Sequence, residues 1–208
     1  MTPRSFVPAR QRGAVLLVAL GVMLALLIIG VSAIRTALNG EKSARGERDR
    51  QIAMQAAEAA LSDAERDIEQ PPLTTRGALF TAGSSTGFAD GCAAGLANPA
   101  LGLCRYARPK AVPAWQRAAL AEEASDEVRT VAYGLFTGAR MPVGKGTLPA
   151  RLPRYVIELM PYARAGEDAG RHAGNFYRIT AIGFGASAAT RVVLQSFYLK
   201  AATAGEPT

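Results

Sequence analysis

A long run of apolar residues begins at Ala14, near the N-terminus of the chain. No side chain from Ala14 to Ile34 is charged, and a helix over this run is about 31 Å long, which matches the hydrocarbon core of a bilayer. Secretory signal peptides have shorter apolar regions of about 7–15 residues. The pattern therefore predicts a transmembrane helix at residues 14–34. The alternative is a secretory signal that is cleaved after Ala33, because Val31-Ser32-Ala33 is a small-residue cleavage site.

Residues 35–70 change to the period of an amphipathic helix. Their apolar side chains recur at spacings of three, four and seven: Ile52, Ala53, Ala56, Ala57, Ala60, Leu61, Ala64 and Ile68. Most polar side chains, Asp63 among them, are predicted on the other faces. Gly40 and Gly46 each lower helix propensity by about 1 kcal/mol, so we expect a bend or local melting between them. Pro71-Pro72 ends the pattern, which predicts that the helix continues over residues 35–70.

The C-terminal half carries the strand signals. Four segments are rich in β-branched and aromatic residues and bounded by Gly or Pro: Glu127–Phe136, Arg154–Met160, Asn175–Phe184 and Thr190–Leu199. They predict an antiparallel sheet of about four strands, packed on the alanine face of the helix. The fold class is therefore α+β, with residues 71–208 forming one domain with loop-rich insertions.

Two further elements are predicted ahead of the strands. Residues 73–112 are rich in Gly, Ser, Thr and Pro and are predicted as irregular loops. The stretch from Pro113 to Glu123 begins with a proline that fits a first helical turn, and it predicts a short helix.

Composition and charge place most of the chain outside the cytoplasm. The 208 residues are 49% apolar and 20% charged, with a net charge of +7, which fits one globular domain plus an apolar segment. Arg4, Arg10 and Arg12 precede the apolar run and no acid opposes them there. This arrangement favours a cytoplasmic N-terminus and an exported domain. The remaining arginines are scattered and do not form a basic stripe, so no nucleic-acid partner is expected.

The two cysteines, Cys92 and Cys104, lie in a predicted loop of the exported domain. Two cysteines in an oxidising compartment predict a disulfide, and the alternative is a pair of free thiols. A zinc site would need more ligands, and the single histidine, His172, is distant in sequence. No metal or cofactor is therefore expected.

Catalytic motifs are absent from the sequence. It has no Gly-rich phosphate loop, no His-Glu-x-x-His, no Gly-x-Ser-x-Gly and no Cys-x-x-Cys. His172 lies in a polar loop and is interpreted as a solvated side chain. A structural role is therefore favoured over the two alternatives of a membrane-anchored periplasmic enzyme and a secreted protein of unrelated function.

The chain resembles the PilX family of type IVa minor pilins in four stretches, namely "RQRGAVLLVAL", "GVSAIRTAL", "RDRQIAMQAAEAAL" and "FYRITAIGFG…TRVVLQSFY". The resemblance is closest over the N-terminal 60 residues and extends to about the last 25. Residues 1–13 are similar to the basic leader of type IV prepilins. The family is related to the K-type pseudopilin of type II secretion.

The resemblance implies how the N-terminus is processed. Prepilin peptidase would cleave between Gly13 and Ala14, and Ala14 would then be N-methylated. A residue without a Cβ allows the backbone to fit closely into a protease site. Most pilins carry Glu at the fifth mature position, where this chain has Val18. Since an unpaired ammonium costs several kcal/mol in apolar surroundings, a subunit without that carboxylate is poorly suited to the repeating shaft.

The resemblance also implies the partners and the location. The chain would be a minor pilin that primes pilus assembly near the tip and supports adhesion or twitching motility. Its partners would be other minor pilins, the major pilin, a tip adhesin, prepilin peptidase and the inner-membrane assembly platform. It would cross the inner membrane once, with a periplasmic C-terminal domain, before entering the pilus at the cell surface.

Overall fold

A computed structural model describes residues 14–71, 73–106, 111–121, 127–161 and 174–201. The chain divides into two compact units, Met1–Glu47 and Arg48–Thr208. Helix α1, Ala14–Ile68, belongs partly to each unit and ends two residues before the predicted position. Gly40 and Gly46 are helical, so the predicted local melting is wrong. The predicted leader, residues 1–13, lies outside the described residues.

Among the described residues, the second unit contains a sheet of five strands: β1 Leu103–Arg105, β2 Val131–Ala132, β3 Arg154–Met160, β4 Gly174–Phe184 and β5 Arg191–Ala201. The strand order is β1-β3-β4-β5, and β2 also pairs with β3. The pairs β2–β3, β3–β4 and β4–β5 are antiparallel, as predicted. β1 pairs with β3 in parallel, so the sheet is mixed although mostly antiparallel.

Several predicted boundaries differ from the structure. The predicted strand Glu127–Phe136 is reduced to β2, because the chain turns at Gly134, which has a positive φ of 78°. The predicted helix Pro113–Glu123 is reduced among the described residues to α2, Ala114–Arg117. A 3₁₀ helix, Gly77–Phe80, and strand β1 both lie within residues predicted as loop.

The main core lies between α1 and the inner face of the sheet. Tyr177, Ile179 and Ala181 of β4 are fully buried in one cluster with Ala60 and Ala64 of α1. The small side chains of α1 allow a close approach of the two layers. A Cβ added at Gly183 of β4 would lie only 2.0 Å from the Ala53 carbonyl oxygen. The predicted packing of the sheet on the alanine face of the helix is thus confirmed.

Candidate functional site on helix α1

Residues 14–34 of α1, here called the apolar segment, are all exposed within the described chain. Leu16 is 76% exposed and Val18 is 65% exposed. Among the described residues α1 is the one helix that is long and apolar enough to cross a membrane, and no part of its most apolar stretch is buried. An apolar surface of this size on a single chain is typical of a segment that is covered by lipid or by other chains.

The residues predicted to direct processing lie at the start of this segment. Gly13 is outside the described residues, and Ala14 is helical and exposed. Val18 lies in the same exposed helix, and the apolar segment contains no charged side chain. An ammonium group of another subunit that packed against this segment would therefore find no carboxylate on it.

Residues 49–68 of α1, here called the anchored segment, carry two fully buried carboxylates, Asp63 and Asp67. The Asp67 carboxylate pairs with the Arg76 guanidinium at 2.6 Å and accepts a hydrogen bond from the Tyr155 hydroxyl at 3.0 Å. Burial, with the neighbouring Asp67 charge second, raises the pKa of Tyr155 well above its usual range. The Tyr155 hydroxyl therefore stays protonated and can donate this hydrogen bond.

Arg76 joins this carboxylate to the rest of the domain. Its Nη1 donates to the carbonyl oxygens of Pro99, at 2.6 Å, and Leu101, at 3.0 Å. Its guanidinium carbon lies 4.0 Å from the centroid of the Phe136 ring, within the range of a cation–π contact. One buried cation thus connects α1, the Pro99–Leu101 loop and the loop after β2.

Asp63 holds the loop after β2. Its Oδ2 accepts the Gly134 amide at 2.7 Å, and its Oδ1 accepts the Thr137 hydroxyl at 2.5 Å. Asp63 is predicted on a face other than the apolar stripe, but it is fully buried, and these two donors replace water there. The sequence does contain a signal, since Asp63 and Asp67 are one turn apart and Asp63 directly precedes Ala64 of the buried stripe.

The β4–β5 hairpin contacts both ends of the anchored segment. At one end the Asp49 carboxylate accepts hydrogen bonds from the Thr190 hydroxyl and from the Ser187 amide at 3.1 Å. The hydrogen bond from Thr190 is the main cause that lowers the pKa of Asp49. At the other end the Lys200 ammonium donates to the Ile68 carbonyl oxygen at 2.8 Å.

Tyr198 adds a second contact at that far end. Its hydroxyl donates to the Glu69 carboxylate at 2.8 Å. Burial first, and this hydrogen bond second, raise the pKa of Tyr198 to about 12. β5 therefore runs beside the anchored segment, from Asp49 near its first residue to Ile68 near its last.

The predicted disulfide between Cys92 and Cys104 is present. Both cysteines are buried. They pack in a second cluster with Ala114, Leu120, Val156, Ile182 and Phe184. The disulfide-bonded loop and α2 thus cover part of the outer face of the sheet, the face turned away from α1.

The chemistry of these clusters is structural. Within the described ranges no group of three or more His, Cys, Asp or Glu side chains could hold a metal ion. The buried carboxylates of Asp63 and Asp67 are hydrogen-bonded to donors of the domain itself. The arrangement fixes a domain on one part of a helix and leaves the apolar part bare.

A long N-terminal helix with an exposed apolar segment and a mostly antiparallel sheet packed on its later residues defines a pilin-like subunit. Two family models match the chain: "PilX N-terminal" over residues 12–62, and "Type IV pilus assembly protein PilX C-term" over residues 89–200. The chain belongs to the PilX family of type IV pilus assembly proteins, which are structural and not enzymatic. Comparisons with curated proteins and with solved structures gave no match.

Proposed function

We propose that this chain is a minor pilin that primes assembly of a type IV pilus and lies near its tip. The observation that carries the proposal is the apolar segment of a PilX-family chain that offers Val18 where a shaft subunit needs a carboxylate. A position with no subunit above it requires no such carboxylate. The tip is that position.

The proposed route begins in the inner membrane. The apolar segment crosses the bilayer with the N-terminus in the cytoplasm, and residues 35–208 are periplasmic. Prepilin peptidase cleaves between Gly13 and Ala14, and Ala14 is then N-methylated. Passage from lipid into a bundle of pilin helices keeps the exposed leucines and isoleucines in apolar surroundings, so it costs little hydrophobic free energy. The partners at this stage are the assembly platform, other minor pilins, the major pilin and a tip adhesin.

The proposal is tested by the amount and position of the chain in sheared pili. Quantitative mass spectrometry should find it far below the major pilin, and immunogold should label pilus ends. A strain that lacks the chain should show fewer pili of near-normal length. Abundance equal to that of the major pilin, with label along the whole shaft, would contradict the tip assignment.

A matched pair of variants tests the role of Val18 itself. In Val18→Glu the new carboxylate can neutralise the N-terminal amine of a neighbouring subunit, so we expect more label along the shaft. In Val22→Glu the carboxylate lies one helical turn away from that position and should not have this effect. Equal labelling for both variants would show that the missing carboxylate does not restrict the chain to the tip.

A further inference from the structure

Strand β5 is the edge of the sheet among the described residues. It has 11 residues and pairs with β4 along its whole length, without a bulge. The pairing runs from Gly174 opposite Ala201 to Phe184 opposite Arg191. Within the described chain no strand pairs with its other side. Natural proteins protect such edges with proline, bulges, charged side chains or very short strands. β5 has no proline and no bulge, and its two charged residues, Arg191 and Lys200, lie at its ends. A long, regular edge of this kind is a template for another strand.

The hairpin shows which backbone groups face this edge. The Gly185 amide donates to the Thr190 carbonyl oxygen at 2.9 Å, and the two residues continue the register of the β4–β5 pair. In an antiparallel pair, residues that bond to the partner strand alternate with residues whose N–H and C=O point away. Thr190 and the even-numbered residues of β5 therefore bond to β4. The odd-numbered residues, Arg191 to Ala201, present their N–H and C=O groups to the free edge.

The same odd-numbered residues carry the bare apolar side chains. Val193 is 43% exposed, Phe197 60% and Leu199 48%. Phe197 stacks on Phe176 of β4, with ring centroids 5.6 Å apart. The disulfide-bonded loop and α2 cover Ile182 of the outer face, but they leave these side chains of β5 exposed. A strand added at this edge would gain both backbone hydrogen bonds and apolar contact.

The charge of the hairpin indicates what kind of strand would bind. β4 and β5 contain Arg178, Arg191 and Lys200 and no acidic residue. Arg178 is paired with Glu158 of β3 at 2.5 Å. The other two cations lie at opposite ends of β5: Arg191 is exposed, whereas Lys200 is half-buried and donates to the Ile68 carbonyl oxygen. Carboxylates on the incoming strand would complement them.

A second copy of this chain fits the edge poorly. If two β5 strands paired in parallel, Arg191 would lie near Arg191 and Lys200 near Lys200, and like charges across a pair are destabilising. If they paired antiparallel and in register, the Arg191 end of one β5 would lie beside the Lys200 end of the other, so like charges would again come together.

We propose that the free edge of β5 takes an added strand from a different pilus subunit, a segment with alternating apolar residues and with carboxylates near Arg191 and Lys200. This inference rests on the proposed function only for the source of the partner. The partner would be bound mainly through the backbone groups of Val193, Gln195 and Phe197. Its apolar side chains would lie beside Phe197 and Leu199 on the outer face.

The test is photo-cross-linking of the full chain in its own cell envelope and in sheared pili. p-Benzoylphenylalanine replaces Phe197, and the cross-linked peptide is identified by mass spectrometry in three backgrounds: wild type, Gln195→Ala and Gln195→Pro. The alanine keeps the outward amide of residue 195, whereas the proline removes it and is tolerated at an edge strand. We expect about a tenfold lower yield for Gln195→Pro, which corresponds to about 1.4 kcal/mol, and little change for Gln195→Ala.

A second pair guards against a folding defect of the proline variant. Arg191→Glu should lower the yield and Arg191→Lys should keep it, since only the first reverses the charge. A cross-link to an acidic, alternating segment of another pilus subunit, with both responses, supports the proposal. A cross-link to a second copy of this chain or to lipid overturns it. A cross-linking yield that is the same in wild type, Gln195→Pro and Arg191→Glu also overturns it. If pili contain the chain but no cross-link forms, this inference is overturned and the proposed function is not. If the chain is absent from pili, the proposed function is overturned.

Discussion

Helix α1 contains two regions that share a backbone conformation and differ in what covers them. Every described residue from Ala14 to Arg48 is exposed, although residues 14–34 carry the longest run of large apolar side chains in the sequence. One face of the anchored segment, residues 49–68, is buried against the rest of the second unit, mainly through alanines and two carboxylates. Burial in this protein therefore does not follow hydrophobicity.

The difference shows that each region is adapted to a different environment. Large aliphatic side chains suit lipid or neighbouring helices, where apolar contact is the main requirement. Alanine suits the anchored segment, because the β4 backbone at Gly183 comes so close to Ala53 and Ala57 that a Cβ on Gly183 would clash. Asp63 and Asp67 add specificity there, since each is matched to donors of the domain. Substitutions at comparable positions of the two regions should thus have different effects.

The largest difference should appear at the ion pairs. Asp67→Ala leaves the Arg76 guanidinium buried without its carboxylate and should lower the free energy of unfolding by about 3–5 kcal/mol. Glu41→Ala removes the exposed partner of Arg45, whose side chain is 79% exposed, and should have no measurable effect. Urea unfolding of the full chain in detergent, followed by the fluorescence of Trp115, measures both. Similar losses in the two variants would contradict the assigned roles of the pairs.

The disulfide should come next. Replacing Cys92 and Cys104 together by serine frees a loop of 12 positions and should lower the free energy of unfolding by about 3 kcal/mol in the chain-entropy model. The loss should be confined to the second unit, so the protein should remain in the membrane fraction. Alkylation without reductant checks the wild type, in which both thiols should be protected. Full alkylation of folded wild-type protein would refute the bond.

Much of this molecule was predictable from local sequence patterns. The helix, the alanine stripe and strand β3, Arg154–Met160, follow from periodicity and residue type. The disulfide was predicted from two cysteines in a domain that the sequence suggests is exported, and it is present. The helix and the strand depend on residues that are neighbours in sequence, and the disulfide was predicted from the expected compartment.

The remaining features depend on partners that are distant in sequence. Asp63 looks solvated until Gly134, 71 positions later, donates to it. Asp67 needs Tyr155, which lies 88 positions later. β1 has only three residues and forms only because β3 offers it a parallel edge, so its local sequence carries almost no signal. The free edge of β5 could not be predicted either, because edge position is a property of the whole sheet.

A smaller effect should separate two alanines of α1. Ala57→Leu places a large side chain where the helix meets β4, and overpacking should lower the free energy of unfolding by about 1–3 kcal/mol. Ala25→Leu makes the same change at an exposed residue of the apolar segment and should leave unfolding of the second unit unchanged. The urea assay applies to both. An equal loss for the two variants would show that the helix is not divided in this way.

The smallest expected effect is the pH dependence of the stability that Asp49 contributes in the first turn of the anchored segment. The pKa of Asp49 is lowered from its ordinary value of 3.8, so the folded state favours the ionised carboxylate. The stabilisation is complete above that value and is lost as the pH falls through the lower pKa of the folded protein. The difference in stability between wild type and Asp49→Asn should therefore shrink only below about pH 4. If this difference in stability instead stays constant as the pH falls to about 2.5, the Thr190 hydrogen bond is not the source of the stabilisation.

The most direct test of the central claim, that the apolar segment of α1 is a pilin helix covered first by lipid and then by other subunits, is the mass of the N-terminal peptide. It is measured on the chain from inner membranes and from sheared pili, with Gly13→Val as the control. Both wild-type samples should begin at Ala14, and Gly13→Val should keep Met1 and be absent from pili. A wild-type chain that begins at Ile34, or that keeps Met1 in both fractions, would contradict the account.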